Sequence, residues 1–150
     1  MRHAILLASV LAIGLLPLGG CSSGGPADWS EHTHGLPFVV GYERGVKAAE
    51  ESGKPTLFFV TTTWCGWCKR LARDNFDDPS IRPLLEQFTL VLVDGDTEHA
   101  ASRKLNPSGG VPHIVIQSPD GEVVQEITGY RPPDEFRELL QQAVESSPAA

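Results

Sequence analysis

A short apolar run that stops at a paired-thiol turn constrains this chain more than any other feature. Thr56-Leu57-Phe58-Phe59-Val60-Thr61-Thr62 follows Pro55 and is rich in β-branched and aromatic residues, which predicts a buried strand. Trp64-Cys65-Gly66-Trp67-Cys68-Lys69 comes next, and Leu71, Ala72 and Phe76 continue on one helical face. That order puts Cys65 at the mouth of a helix and Cys68 one turn further along. Unpaired amide donors and the positive end of the helix dipole favour a thiolate there. In such motifs the thiol pKa falls from about 8.5 to roughly 3.5–7.5. Only a thiolate attacks a disulfide, so Cys65 is expected to be the attacking nucleophile and Cys68 the resolving thiol. A zinc site would need four ligands, and the sequence has no second Cys-x-x-Cys and no close His-x-x-x-His. A static staple across two intervening residues would close too small a loop to stabilise much.

The flanking segments set the architecture. Tyr42, Val46 and Ala49 recur at helical spacing before a stop at Ser52-Gly53. Asp78-Pro79 predicts the opening of a helical piece carrying Ile81, Leu84, Leu85 and Phe88. Thr89 to Val93 predicts a second buried strand and Glu98 to Leu105 a short helix. After the loop Asn106-Pro107-Ser108-Gly109-Gly110, a third strand enters through Val111-Pro112-His113. Pro119-Asp120-Gly121 predicts a turn, with Glu122 to Thr128 returning as a hairpin. A last helix starts at Pro133-Asp134-Glu135, with a core face of Phe136, Leu139, Leu140, Ala143 and Val144. Together these predict a single α/β domain over 36–145, with helices flanking a mixed central β-sheet. Residues 146–150 are expected to fray.

The motif Trp64-Cys65-Gly66-Trp67-Cys68-Lys69, the later Gly110-Val111-Pro112 and Asp120-Gly121-Glu122-Val123-Val124 resemble the thioredoxin superfamily. The resemblance runs from about Leu36 to Val144. Asn75-Phe76-Asp77-Asp78-Pro79-Ser80-Ile81 is most similar to the periplasmic thioredoxin-like domain of bacterial thiol:disulfide interchange proteins, which pass electrons to extracytoplasmic disulfides. The resemblance implies a thioredoxin-like fold, no cofactor, and a cis-proline at Pro112 facing the paired cysteines. It also implies a substrate groove formed by Trp64, Gly66, Trp67, Val111 and Pro112, in which the Val111 backbone pairs with an extended substrate segment. One position departs from the pattern. The family carries a buried acid six residues before the first cysteine, where it helps deprotonate the resolving thiol; here that residue is Phe59. His113 is a candidate replacement base, with a partly exposed strand residue as the plainer expectation. His32 and His34 are expected in solvated loop.

The N-terminus reads as an address. Met1-Arg2-His3 is basic, Ala4 to Leu16 is almost wholly apolar, and Pro17 follows. This fits a secretory signal, being shorter than the roughly 20 apolar residues of a membrane span. Leu18-Gly19-Gly20-Cys21 resembles the lipobox of bacterial lipoproteins, which implies a signal over 1–20 and lipid on Cys21. Three cysteines then resolve into one anchor and one redox pair. Ser22 lies where an Asp would signal inner-membrane retention, which favours the outer membrane of a Gram-negative cell. Residues 21–35 are expected to be a flexible tether with a reach of about 20 Å.

With 19 acidic against 12 basic residues, a formal charge of -7, the chain lacks the basic surface that nucleic-acid binding needs. The expected activity is extracytoplasmic thiol:disulfide exchange, reducing protein disulfides and recycled by a separate membrane electron donor or acceptor. Two alternatives stand beside it. One is a copper or metal-delivery module using Cys65 and Cys68 as soft ligands, with His113. The other is a non-catalytic thioredoxin-fold interaction domain.

Overall fold

The computed structural model describes residues 26–147. The expected signal (1–20), Cys21, the first part of the expected tether and the last three residues of the expected tail lie outside them. The elements in chain order are α1 (Ser30–Thr33), β1 (Val39–Val40), α2 (Tyr42–Ser52), β2 (Thr56–Thr61), α3 (Gly66–Asn75), α4 (Arg82–Leu85), β3 (Thr89–Asp94), α5 (His99–Leu105), β4 (His113–Gln117), β5 (Val123–Thr128) and α6 (Pro133–Ser146). The five strands form one mixed sheet in the order β1-β3-β2-β4-β5. β1 and β2 run parallel to β3, whereas β4 runs antiparallel to both β2 and β5. The α/β architecture expected from the element order is therefore present.

β2 is central and buried along its whole length, which is why it reads as an unbroken apolar run. Its side chains alternate between two cores. Leu57 and Phe59 join Leu71, Ala72, Phe76, Ile114, Phe136 and Leu140 on one face; Phe58 and Val60 join Val91, Val93, Leu105 and Val115 on the other. The first core lies under α3 and α6 and contains both cysteines of the pair. α2 packs closely on β3 because Gly45 has no side chain: a Cβ there would lie 2.2 Å from Val91 Cγ1.

Several expectations are corrected. The tether does not extend to residue 35. Trp29, His32 and Leu36 are buried and α1 forms between them. A helix of four residues carries no periodicity to read, and its stability comes from burial against α3. The solvated-loop expectation therefore fails for His32. The piece opening at Asp78-Pro79 is a turn before it is a helix. Asp78 Oδ1 accepts from the Ser80 N–H at 2.7 Å and its hydroxyl at 2.6 Å, and the helix proper begins at Arg82. Ser146 belongs to α6, and Ser147 is buried with its N–H donated to Val144 O. β1 has only two residues and was not foreseen.

Candidate functional site

Parallel pairing of β2 with β3 and antiparallel pairing with β4 bring three segments to one edge of the sheet. The C-terminal ends of β2 and β3 meet the N-terminal end of β4, since Thr61 pairs with Asp94 and Val60 with His113. The redox turn leaves β2 there. Cys65 is the N-cap of α3, its extended backbone turning the chain into the helix. The Cys65 N–H donates to Thr62 O at 3.1 Å, and Cys65 Sγ accepts the Cys68 N–H at 3.1 Å. The two cysteines are joined as a disulfide with a Cα–Cα distance of 5.2 Å. Cys65 is 4% exposed and Cys68 0%, so of the pair only the first cysteine reaches solvent.

Two indoles flank this turn. Trp64 is 73% exposed and Trp67 57%, an uncommon exposure for residues of that size. Neither is loose. Trp64 Nε1–H donates to Asp96 Oδ1 at 2.9 Å, while the Thr63 N–H and hydroxyl donate to Asp96 Oδ2 at 2.8 Å each. The Thr63 N–H above all, with help from the Thr63 hydroxyl and Trp64, holds the Asp96 carboxyl below its ordinary range. On the other side, the Trp67 ring lies 5.7 Å from that of Tyr130, and the Arg70 guanidinium lies over both, at 5.3 and 5.1 Å. Tyr130 in turn donates its hydroxyl to Asp74 Oδ2 at 3.0 Å. Between the two indoles, Gly66 faces open space: a Cβ there would meet nothing within 4 Å.

The Val111–Pro112 bond is cis. Pro112 O accepts the Gly129 N–H at 2.8 Å, whereas the Val111 backbone makes no hydrogen bond among the described residues. Val111 is partly buried and packs against the core that contains the cysteines. The sheet register thus brings Val111 and Pro112 to the same edge as Trp64, Gly66 and Trp67.

His113 does not join them. It follows Pro112, but its register partner is Val60 and its own alternation matches Val115, both in the core on the opposite face of the sheet. It is 3% exposed, correcting the expectation of a partly exposed residue, and its Nδ1 lies 3.1 Å from Thr128 Oγ1. Burial holds its pKa below the usual imidazole value against the pull of Glu126. Strand alternation separates His113 from Cys65 and Cys68, so it serves neither as their base nor as a third copper ligand beside them. Among the described residues no group of three or more His, Cys, Asp or Glu could hold a metal ion.

Phe59 occupies its foreseen place beneath the pair and is fully buried. Its ring lies 5.8 Å from Phe76 and 6.2 Å from Phe38. An aromatic cluster fills the position of the missing acid. Asp96, Arg70 and Tyr130 were not foreseen. Asp96 had a signal: it lies just past β3, and adjacent parallel strands put the residues beyond their C-terminal ends side by side.

A family model described as a thioredoxin-like domain matches residues 42–144. The chain belongs to this thioredoxin-like family. It is 26% identical to the thiol:disulfide interchange protein DsbD of Ralstonia nicotianae over an alignment spanning 99% of this chain and 26% of that protein. Against DsbD of Pectobacterium atrosepticum it is 27% identical, covering 73% of this chain and 20% of that one. The thioredoxin-like chain therefore spans about a quarter or less of the length of these curated relatives. Among solved structures, a thioredoxin from Thermus thermophilus superposes with a TM-score of 0.64 at 24% identity, covering 75% of this chain and 91% of that one. The reduced C-terminal domain of Neisseria meningitidis DsbD superposes at 0.58 with 22% identity, covering 70% and 99%. The protein has a thioredoxin-like fold with a Cys65–Cys68 disulfide at the N-terminus of α3.

Proposed function

We propose that this protein is an extracytoplasmic thiol:disulfide oxidoreductase that reduces protein disulfides. The observation that carries the proposal is the Cys65–Cys68 pair at the N-terminus of α3, with only Cys65 reaching the surface between two exposed indoles. In the reduced protein the Cys65 thiolate attacks one sulfur of a substrate disulfide. A Cys65–substrate disulfide forms and the other substrate sulfur leaves as a thiolate. Cys68, once deprotonated, attacks Cys65 Sγ, restoring the internal disulfide and releasing the second substrate thiolate. Two electrons pass to the substrate, and a separate membrane dithiol donor returns two to the pair. The likeness to DsbD, named as a thiol:disulfide interchange protein, supports thiol:disulfide exchange as the chemistry. Val111, with its backbone unpaired, and Pro112 would line the substrate segment, with Trp64 and Trp67 on either side. The lipobox-like Leu18-Gly19-Gly20-Cys21 supports a lipid anchor outside the cytoplasm, and among the described residues no helix is long and apolar enough to cross a membrane.

Trapping tests the assignment. Cys65→Ser should abolish exchange, whereas Cys68→Ser should accumulate a mixed disulfide, since attack survives and resolution does not. Adducts on Cys65→Ser and none on Cys68→Ser would reverse the two roles. Alkylation of the wild-type pair in cells reads the direction: mostly free thiols mark a reductant and mostly disulfide an oxidant.

A further inference from the structure

Thr62 links β2 to the redox turn, and its carbonyl oxygen receives two donors. One is the Cys65 N–H at 3.1 Å; the other is His32 Nε2, also at 3.1 Å. A carbonyl only accepts, so the neutral ring carries its proton on Nε2 and leaves Nδ1 with a lone pair. That Nδ1 has no hydrogen-bond partner among the described residues, in a residue only 1% exposed. Trp29 meets the ring edge-on at 5.0 Å. On the other side of the motif Glu31 accepts from Lys69 Nζ at 2.7 Å, and Lys69 directly follows Cys68. α1 thus straddles the redox turn, with one bond just before Cys65 and one just after Cys68. Neither bond has a part in the exchange steps above.

We propose that His32 is a positioning residue of disulfide exchange, which fixes the Cys65 amide through Thr62 and so holds the first turn of α3 with the Cys68 N–H aimed at Cys65 Sγ. The proposal rests on the reading of the pair as an exchanging one. A thiolate gains much from a donor aimed at it, whereas a neutral disulfide sulfur is a weak acceptor and gains little. Loosening the turn therefore weakens the dithiol form more than the disulfide form. Burial, helped by Lys69, holds the ring below the usual imidazole range against the upward pull of the bond to Thr62 first and of Glu31 and Asp28 after it, which favours His32 as a neutral donor.

Two variants of the full chain test the role. His32→Phe keeps a flat ring and removes the donor; His32→Gln returns an amide N–H near the place of Nε2. On dithiothreitol-reduced protein, the pH profile of iodoacetamide alkylation gives the Cys65 pKa, and equilibration with glutathione gives the disulfide-to-dithiol constant. In His32→Phe the pKa should rise and the constant should move toward disulfide by about three- to tenfold, the worth of one hydrogen bond, and His32→Gln should restore both. A folded His32→Phe protein with wild-type values overturns the proposal, as does a His32→Gln protein displaced as far as His32→Phe. If His32→Phe does not fold, nitrogen NMR of the wild-type ring decides. An Nε2–H tautomer whose signals move on reduction supports the proposal; an Nδ1–H tautomer, or signals identical in the two redox forms, overturns it. Should the wild type fail to exchange with glutathione at all, the exchange reading falls, while the alkylation and NMR results still judge His32.

Discussion

Phe59 and His113 show how single positions in this fold trade chemistry for packing. Where the resemblance places a buried acid, Phe59 joins Phe38 and Phe76 in a ring cluster beneath the cysteines, and no carboxylate is there to take the Cys68 proton. Resolution is therefore expected to be slow at neutral pH and to speed up as pH rises. Phe59→Asp should accelerate release from a preformed Cys65 adduct by about an order of magnitude or more, because burial raises the new carboxyl into a useful range. The same change should cost on the order of 4–6 kcal/mol from lost ring contacts and an unpaired buried acid. Stopped-flow release across a pH series, on protein shown folded by near-ultraviolet circular dichroism, reads the rate. Equal rates at every pH would mean that another group is already the base. His113 makes the opposite case: a residue that invites a catalytic role from its place after Pro112 is instead sealed in the other core. Its pKa is held low by burial, so the unfolded chain binds the proton more readily than the folded one. Stability from this group is complete above the unfolded value of about 6.5 and is lost as pH falls through the folded value. His113→Gln should flatten the decline in urea midpoint between pH 7 and pH 5, and parallel curves for the two proteins would contradict that sign.

Among the elements, those with a strong period were legible and those held only by tertiary contacts were not. β2, β3, α2, α3 and α6 have the runs and spacings that burial on one or both faces demands, and they form where expected. α1 and β1 do not. Their four and two residues gain order by docking, α1 on α3 and β1 on β3, so nothing local announces them. The site divides in the same way. Cys65, Cys68, Trp64 and Pro112 sit in a motif that can be read along the chain, whereas Asp96, Tyr130 and His32 reach it from 28 or more residues away, through sheet register and helix docking. Gly45 is a further case, since its need is visible only once α2 lies on β3. Gly45→Ala would drive a methyl group into the Val91 side chain, which sits in a closed core and cannot swing away. The expected cost is about 1–3 kcal/mol, seen as a lower denaturation midpoint. Because Val91 belongs to the core on the face away from the cysteines, the rate of disulfide exchange at Cys65 should not change. A slowed exchange in a folded Gly45→Ala protein would show that the two faces of the sheet are coupled.

For the whole molecule, the question is how a domain of this size finds its substrates. Its net charge of -7 offers no electrostatic hold on nucleic acid and would be repelled by anionic lipid headgroups. The proposed residence at a membrane therefore has to rest on another group, and in that proposal Cys21 supplies it. Several acyl chains on one residue anchor stably, where a single chain is marginal. Among the described residues burial begins at Trp29, eight positions after Cys21, which is closer than the expected tether bound of residue 35. With a lipid on Cys21, as proposed, so short a separation would hold the redox turn near the bilayer and raise its effective concentration toward a membrane-embedded electron donor. On the proposed anchoring, Cys21→Ser should release the protein from the membrane fraction and leave exchange with a soluble disulfide unchanged, because the exchanging thiols are Cys65 and Cys68. Recycling in cells should suffer instead, with the Cys65–Cys68 pair trapped as a larger disulfide fraction. Fractionation with a high-salt wash, together with alkylation trapping, measures both effects. A Cys21→Ser protein still held by the membrane after that wash would show that another segment carries the attachment. A released protein whose pair stays as reduced as in the wild type would show that its electron donor does not depend on membrane proximity.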